Sequence, residues 1–172
     1  NTKKGIIFIF ISAIMFGSYG VWSKLIGSSF GAFHQGWTRA LIIGIVLLPI
    51  LLWKGQITKI KRKDFGWLLI FLLFTSLTQA PLFYAFNHMD IGSATLLFFV
   101  SMLLTMYLVG FLFLGEKFTK IKLISLILAI VGMYTIFSFS LVVFSLLAII
   151  LAIVNGIASG GEVSFSKKLT GN

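Results

Sequence analysis

The chain contains no cysteine, two histidines, two prolines and four acidic residues in 172 positions. Without cysteine there is no disulfide, no thiolate metal ligand and no cysteine nucleophile. No glycine-rich phosphate loop ending in lysine, no paired histidine motif and no Ser/His/Asp set placed for hydrolysis occurs. An intramembrane or lipid-directed enzyme would have few parts to work with. The chain is therefore expected not to be an enzyme, not to pump with ATP, and to need neither cofactor nor metal. Charge is scarce as well: 10% of residues are Asp, Glu, Lys or Arg, too few to cover a soluble surface of this size.

What is present is apolar. The hydrophobic fraction is 59% and the mean hydropathy +1.08, against roughly 45–50% apolar usage in soluble domains. Between Asp90 and Glu116 there is no charged residue, a run longer than the ~20 apolar residues a helix needs to cross a bilayer. Uncharged runs define six candidate spans: Gly5–Ser23, Ala40–Trp53, Phe65–Phe86, Ile91–Leu114, Leu123–Phe137 and Leu141–Gly161. The last two form one uncharged run, too long for one crossing, with Ser138-Phe139-Ser140 as the expected turn. The second is short unless it begins near Trp37, which would put Arg39 inside the outer membrane layer. The reading is an all-α membrane protein of about six transmembrane helices. Ile6–Val21 is too long for a secretory signal and lacks a cleavage site, so it is read as a retained helix. The first residue is Asn1 rather than Met, so a start or tag is expected to have been trimmed.

The net charge of +10 would suit nucleic acid if it were spread over one face, but it is clustered between spans, as topology signals are. Lys3 and Lys4; Lys54, Lys59, Lys61, Arg62 and Lys63; Lys117, Lys120 and Lys122; and Lys167 and Lys168 all fall on one side when six spans alternate. Only Lys24 and Arg39 fall on the other. By the positive-inside rule the N-terminus is cytoplasmic. A weak internal repeat relates span one to span six: Gly17, Lys24, Leu25 and Gly27 recur as Gly161, Lys168, Leu169 and Gly171. Five crossings separate the copies, and an odd number inverts the second, the arrangement of many secondary transporters.

Residues 75–137 carry a family likeness. A short helix ends in Tyr84-Ala85-Phe86, a small-residue stretch IGSATLLF opens the next, and Leu114-Gly115-Glu116-Lys117 follows. An apolar helix then ends LAIVGMYTIF around Gly132. This resembles the third to fifth helices of the EamA family in the drug/metabolite transporter superfamily, closely here and loosely over the whole chain. Where that family usually has a proline early in its fourth helix, this chain has Ser101 and Met102. The resemblance implies ten helices as five plus five and a central transport cavity. Residues 1–138 would form the first five-helix repeat and 139–172 the first helix of a truncated second. The chain is thus expected to be a fragment of a protein of about ten helices.

The candidate substrate-binding residues are Tyr19, Trp22, Ser76, Gln79, Tyr84 and Glu162. Glu162, beside Ser159, Gly160, Gly161 and Ser164, is an acid at membrane depth, where acids tend to face a cavity or a partner. It reads either as a counter-charge for a cationic substrate or a proton-coupling carboxylate, or more plainly as a snorkelling partner of Lys167 or Lys168. Tyr19 and Trp22 stand among Gly17, Ser18 and Gly20, able to wall a pocket for organic cations, although Trp22 also reads as an interfacial anchor. Span three places Thr75, Ser76, Thr78, Gln79 and Tyr84 around Pro81, which frees a backbone carbonyl and suggests either a pathway or helix–helix hydrogen bonds. Arg39, at a position where the family commonly has an arginine, is expected to pair with Asp90 or a headgroup. Asp90 is expected to cap the helix from Ile91, His34 and His88 to be loop or cap residues, and Glu116 to pair with Lys117. Gly156-x-x-x-Gly160 is a common helix-packing motif.

The expected function is secondary transport of a small metabolite (an amino acid, amine or similar solute) across the plasma membrane by alternating access. Partners would be the solute and the bilayer, with protons as a coupling ion and a homodimer left open. The alternative is a structural or regulatory subunit that oligomerises through glycine-rich faces and transports nothing.

Overall fold

The structure is a computed structural model describing residues 2–27, 29–55, 62–117, 119–139 and 145–170. Among them are seven α-helices and no strand: α1 Thr2–Ile26, α2 Ala32–Trp53, α3 Phe65–Ser76, α4 Ala80–His88, α5 Ile91–Phe113, α6 Lys120–Phe139 and α7 Leu146–Thr170, with a single 3-10 turn at Arg62–Asp64. Five helical stretches among the described residues are long and apolar enough to cross a membrane, α3 and α4 forming one of them together. The chain is an all-α membrane protein.

The helix breaks follow from local chemistry. Ser29 and Phe30 donate to the Ile26 carbonyl and close α1. Gly55, past the end of α2, has a φ of +60°, which glycine adopts without steric cost. Asp90 accepts the Ser93 N–H at 2.9 Å and caps α5, as a carboxylate at that position should. The second span begins at Ala32 rather than Ala40, so Arg39 lies within the helix.

Two expected boundaries need correction. The span Phe65–Phe86 is not one helix. Pro81, in the first turn of α4, has no N–H to continue a helix arriving from α3. Leu77 and Thr78 instead fold back onto the Phe74 and Thr75 carbonyls at 3.1 and 3.2 Å, leaving Thr78 and Gln79 in the gap. The turn expected at Ser138-Phe139-Ser140 is also displaced. Ser138 and Phe139 continue α6, Ser140 lies outside the described residues, and α7 runs to Thr170 instead of stopping at Gly161. Lys167 and Lys168 close that helix at the end where cations complement its dipole.

The core lies where α7 packs on α5, α3 and α4. On α7 the residues at every fourth position, Ala148, Ala152, Gly156, Gly160 and Ser164, are all buried, a stripe of small side chains on one helical face. A Cβ built at Gly156 would come 2.5 Å from the Phe98 carbonyl oxygen, and one at Gly160 2.6 Å from that of Met102. The two helices therefore touch backbone to backbone, which small residues permit. The Gly156-x-x-x-Gly160 motif is occupied within the chain. Leu82, Ala85, Phe86, Met89, Leu97 and Phe98 complete the core, while α1 and α2 both lean on α4.

Candidate functional site

The gap between α3 and α4 is the centre around which the polar residues gather. Two glycines bring its neighbours close. A Cβ at Gly20 would lie 2.5 Å from Ile91 Cγ2, so α1 presses on the start of α5. One at Gly36 would lie 3.3 Å from Gln79 Cβ and 3.5 Å from the Ala80 nitrogen, so α2 rides directly over the start of α4. Tyr19, next to Gly20, and Arg39, one turn after Gly36, then both reach Gln79. The Tyr19 hydroxyl donates to Gln79 Oε1 at 2.8 Å. Arg39 Nη1 donates to the same oxygen at 3.0 Å and to the Tyr19 hydroxyl. The guanidinium carbon stands 4.5 Å from the Tyr19 ring centroid, a cation–π placement. Gln79 Nε2 reaches the Thr78 hydroxyl at 3.3 Å, which donates to the Thr75 carbonyl at 2.8 Å. Ser23 and Gln35, hydrogen-bonded at 2.8 Å, join α1 to α2 one turn beyond Tyr19.

From α7 come Asn155, Ser159 and Glu162, spaced four and three apart and so on one face. Asn155 is fully buried and donates its amide to the Thr78 carbonyl, one of the backbone groups exposed by the break. Its Oδ1 has no partner. The Thr75 hydroxyl lies toward the Glu162 carboxyl without making a hydrogen bond of its own. A cavity of about 350 Å³ is lined by Tyr19, Arg39, Gln79, Asn155, Ser159 and Glu162, among others. A second, of about 600 Å³, shares Arg39, Gln79 and Glu162 and extends along α2. A third, of about 670 Å³ between α1 and α5, is lined by Phe8, Phe16, Phe98 and similar residues and holds no charged group.

Of the residues singled out in the sequence, Tyr19, Gln79 and Glu162 meet at these cavities. Ser76 lies on the wall of the second, its hydroxyl turned to the Leu73 carbonyl at 2.8 Å. Trp22 is 61% exposed and lines another cavity, between α1 and α2, that Tyr19 and Arg39 also border. Tyr84 stacks on His88 with ring centroids 3.9 Å apart, away from the cluster. Arg39 and Asn155 are the contributors that sequence reasoning passed over. Arg39 pairs with Tyr19 and Gln79 rather than with Asp90, whose carboxylate caps α5. The signal was the shortness of Ala40–Trp53, which cannot cross a bilayer without the turns carrying Arg39. For Asn155 it was the one carboxamide in the uncharged run Leu123–Gly161.

Glu162 does not pair with Lys167 or Lys168. Lys167 reaches Glu116 at 3.3 Å, and Lys168 sits 5.7 Å from the Trp67 ring centroid. Glu116 is joined by Lys122 at 2.7 Å, not by Lys117, because the loop folds back with Glu116 N donating to the Gly110 carbonyl at 2.9 Å. Hydrogen bonds from Lys122 and then Lys167 hold the Glu116 carboxyl below its ordinary range. Among the described residues no cluster of three His, Asp or Glu could hold a metal ion.

The chain has relatives among known sequences. The chain is 28% identical over 141 residues to an uncharacterized transporter of Clostridium kluyveri, covering 79% of this chain and 45% of that relative. It is 29% identical over 140 residues to the uncharacterized transporter YojE of Bacillus subtilis, covering 77% and 46%. The chain therefore spans about half the length of the curated relatives it matches. No solved structure matches it significantly. The model of the EamA-like transporter family matches residues 3–138, most of the chain, and the protein belongs to that family.

Proposed function

We propose that the protein is a secondary transporter moving a small metabolite, an amino acid, amine or similar solute, across the plasma membrane by alternating access. Its N-terminus is cytoplasmic, residues 1–138 form a first five-helix repeat, and 139–172 open an inverted second one. The observation that carries this reading is the cavity shared by Arg39, Tyr19, Gln79 and Glu162 around a broken helix. Charged groups inside a membrane protein mark solute pathways, and interrupted helices form the sites of many transporters. The lysine clusters support the orientation. Alternating access would move the α1–α2 flank, which touches the core chiefly through α4, against the packed α5–α7 pair.

The test is a thermal-shift screen of the intact protein in detergent, with amines, amino acids, nucleosides and sugars, followed by uptake into liposomes of any solute that stabilises. A ligand of the folded state at a hundred times its dissociation constant adds about 2.7 kcal/mol. Stabilisation and uptake by one solute class, both lost in Arg39→Gln, are the expected result. Stabilisation by no solute, but by a second membrane protein, would sink the transport reading in favour of a structural or regulatory subunit.

A further inference from the structure

Resting on that transport reading, we propose that the N-terminal half of α1 is a hinged arm whose swing moves Phe16 against Phe98 and Phe99 and so gates the central cavity. Helix α1 is seated at one end only. A Cβ at Gly20 would meet Ile91 and Phe86, and one at Gly27 would run into the Asn87 carboxamide. Ser23, between them, is buried and hydrogen-bonded to Gln35. Gly20, Ser23 and Gly27 are three and four apart and share one face, which seats this half against its neighbours. Toward the N-terminus the seating ends. Every residue from Gly5 to Gly17 is exposed, and a Cβ at Gly5 or Gly17 would meet no atom within 4 Å.

The junction of the two halves is built to bend. Gly17 and Ser18 lie there, and the Ser18 hydroxyl donates to the Met15 carbonyl at 2.9 Å. Glycine and serine pairs are common sites of helix kinks, and a serine bonded back to its preceding turn favours bending. Beside the arm there is room to move, in the cavity of about 670 Å³ bordered by Phe8, Ser12 and Phe16 of α1. Phe16, Leu82, Phe98 and Phe99 border both this space and the central cavity of about 350 Å³, so they form the partition between the two. The Phe16 ring centroid stands 6.1 Å from that of Phe98 and 6.0 Å from that of Phe99. Phe98 is fixed, because its carbonyl abuts the backbone at Gly156 in the α5–α7 contact. Phe16 belongs to the exposed arm. Swung toward α5, the arm closes the partition; swung away, it opens the central cavity to the groove. Apolar rings that meet in this way exclude water and polar solutes. Phe16 also stacks on Tyr19 with centroids 6.0 Å apart, so the gate touches the polar cluster directly.

The chain has no cysteine, so thiol labels can be placed singly or in pairs. In the intact protein in liposomes, spin labels at Phe10→Cys and Leu112→Cys mark the arm and α5 at exposed positions, and labels at Leu25→Cys and Leu146→Cys mark the seated end of α1 and α7. Distances from double electron–electron resonance need no solute. The arm pair should give two distances or one broad spread, and the seated pair a single narrow one. Gly17→Ala fits without a clash and should shift the arm's equilibrium about fivefold toward one distance, the effect of replacing a helical glycine by alanine. Gly5→Ala, equally unhindered but away from the hinge, should leave the distances unchanged. Uptake is then followed with pooled labelled amino acids, amines, nucleosides and sugars. Gly17→Ala should slow it by a similar factor, and Phe16→Ala should let preloaded solute leak out faster than the parent does, while Phe8→Ala should not. A single narrow distance for the arm pair in protein that still takes up solute would overturn the gate and leave the transport reading intact; a helix of a second repeat seated in the groove would have that effect. Unchanged uptake in Gly17→Ala together with parental leak in Phe16→Ala would do the same. A folded protein that takes up none of the pooled solutes would remove both. The distance measurement on the labelled parent depends on neither variant, so a misfolded mutant does not blunt the outcome.

Discussion

The α5–α7 seam and the α1–α2 flank are written in the same apolar alphabet, yet one is packed and the other barely touched. About a third or more of each helix's most apolar stretch is buried in α5 (33%) and α7 (39%), against 6% in α1 and α2. Hydropathy does not separate them, because lipid tails are as apolar as leucine and give helices no hydrophobic reason to associate. Side-chain size does. The contact face of α7 is Ala148, Ala152, Gly156, Gly160 and Ser164, whereas α1 leaves the large side chains Ile6, Phe8, Ile9, Phe10 and Met15 exposed. The polar cluster lies where these regions meet: Tyr19 and Arg39 come from the flank, Asn155 and Glu162 from the seam, and Gln79 from the gap between. A site built across such a boundary can change shape without disturbing the core.

Five substitutions break or sharpen this comparison. Gly160→Val would drive a branched side chain into the Met102 carbonyl, and overpacking of that kind is expected to cost about 2–3 kcal/mol or more. Unfolding in a denaturing-detergent titration, followed by circular dichroism, would read it. Gly44→Ala on the flank meets no atom within 4 Å and should leave the same titration unchanged or shifted slightly upward; a loss as large as at Gly160 would refute the contrast. Asn155→Ala comes next. It removes the donor to the Thr78 carbonyl and should lower stability by about 1–3 kcal/mol. An Asn155→Ala protein as stable as the parent would show that water or a neighbour satisfies the break.

Tyr19→Phe deletes only the hydroxyl between Arg39 and Gln79, so a stability change of about 0.5–1.5 kcal/mol should accompany a clearly larger loss in solute binding. Equal losses would assign Tyr19 a packing role. The smallest expected loss belongs to Glu116. Its carboxyl is held below its ordinary range by Lys122 and Lys167, so its contribution is fully present above the unfolded-state value and lost as pH falls through the lower folded-state value. The ion pairs are partly exposed, limiting the contribution to less than about 1 kcal/mol. Parent stability should decline in mildly to strongly acidic buffer by that amount more than Glu116→Gln does; parallel pH profiles would show that the pairs contribute nothing.

The sequence by itself determined the fold class and the approximate place of the apolar spans, and it marked Pro81 as a point where a backbone carbonyl is freed, because hydropathy, charge clusters and the missing proline N–H act over a few neighbouring residues; it did not show that Phe65–Phe86 divides into two helices. It also singled out Tyr19, Gln79 and Glu162 as polar groups at depth. It could not decide which of them meet. Tyr84 and Trp22 look as suitable as Tyr19 by composition, yet Tyr84 stacks on its own helical neighbour His88 and Trp22 is largely exposed. Arg39 reaches Gln79 only because Gly36 lets α2 ride over the start of α4, and Asn155 reaches Thr78 only because a stripe of small residues brings α7 against the core. Those contacts join positions 40 and 77 residues apart, where no local pattern carries information and only the packing of whole helices sets the outcome.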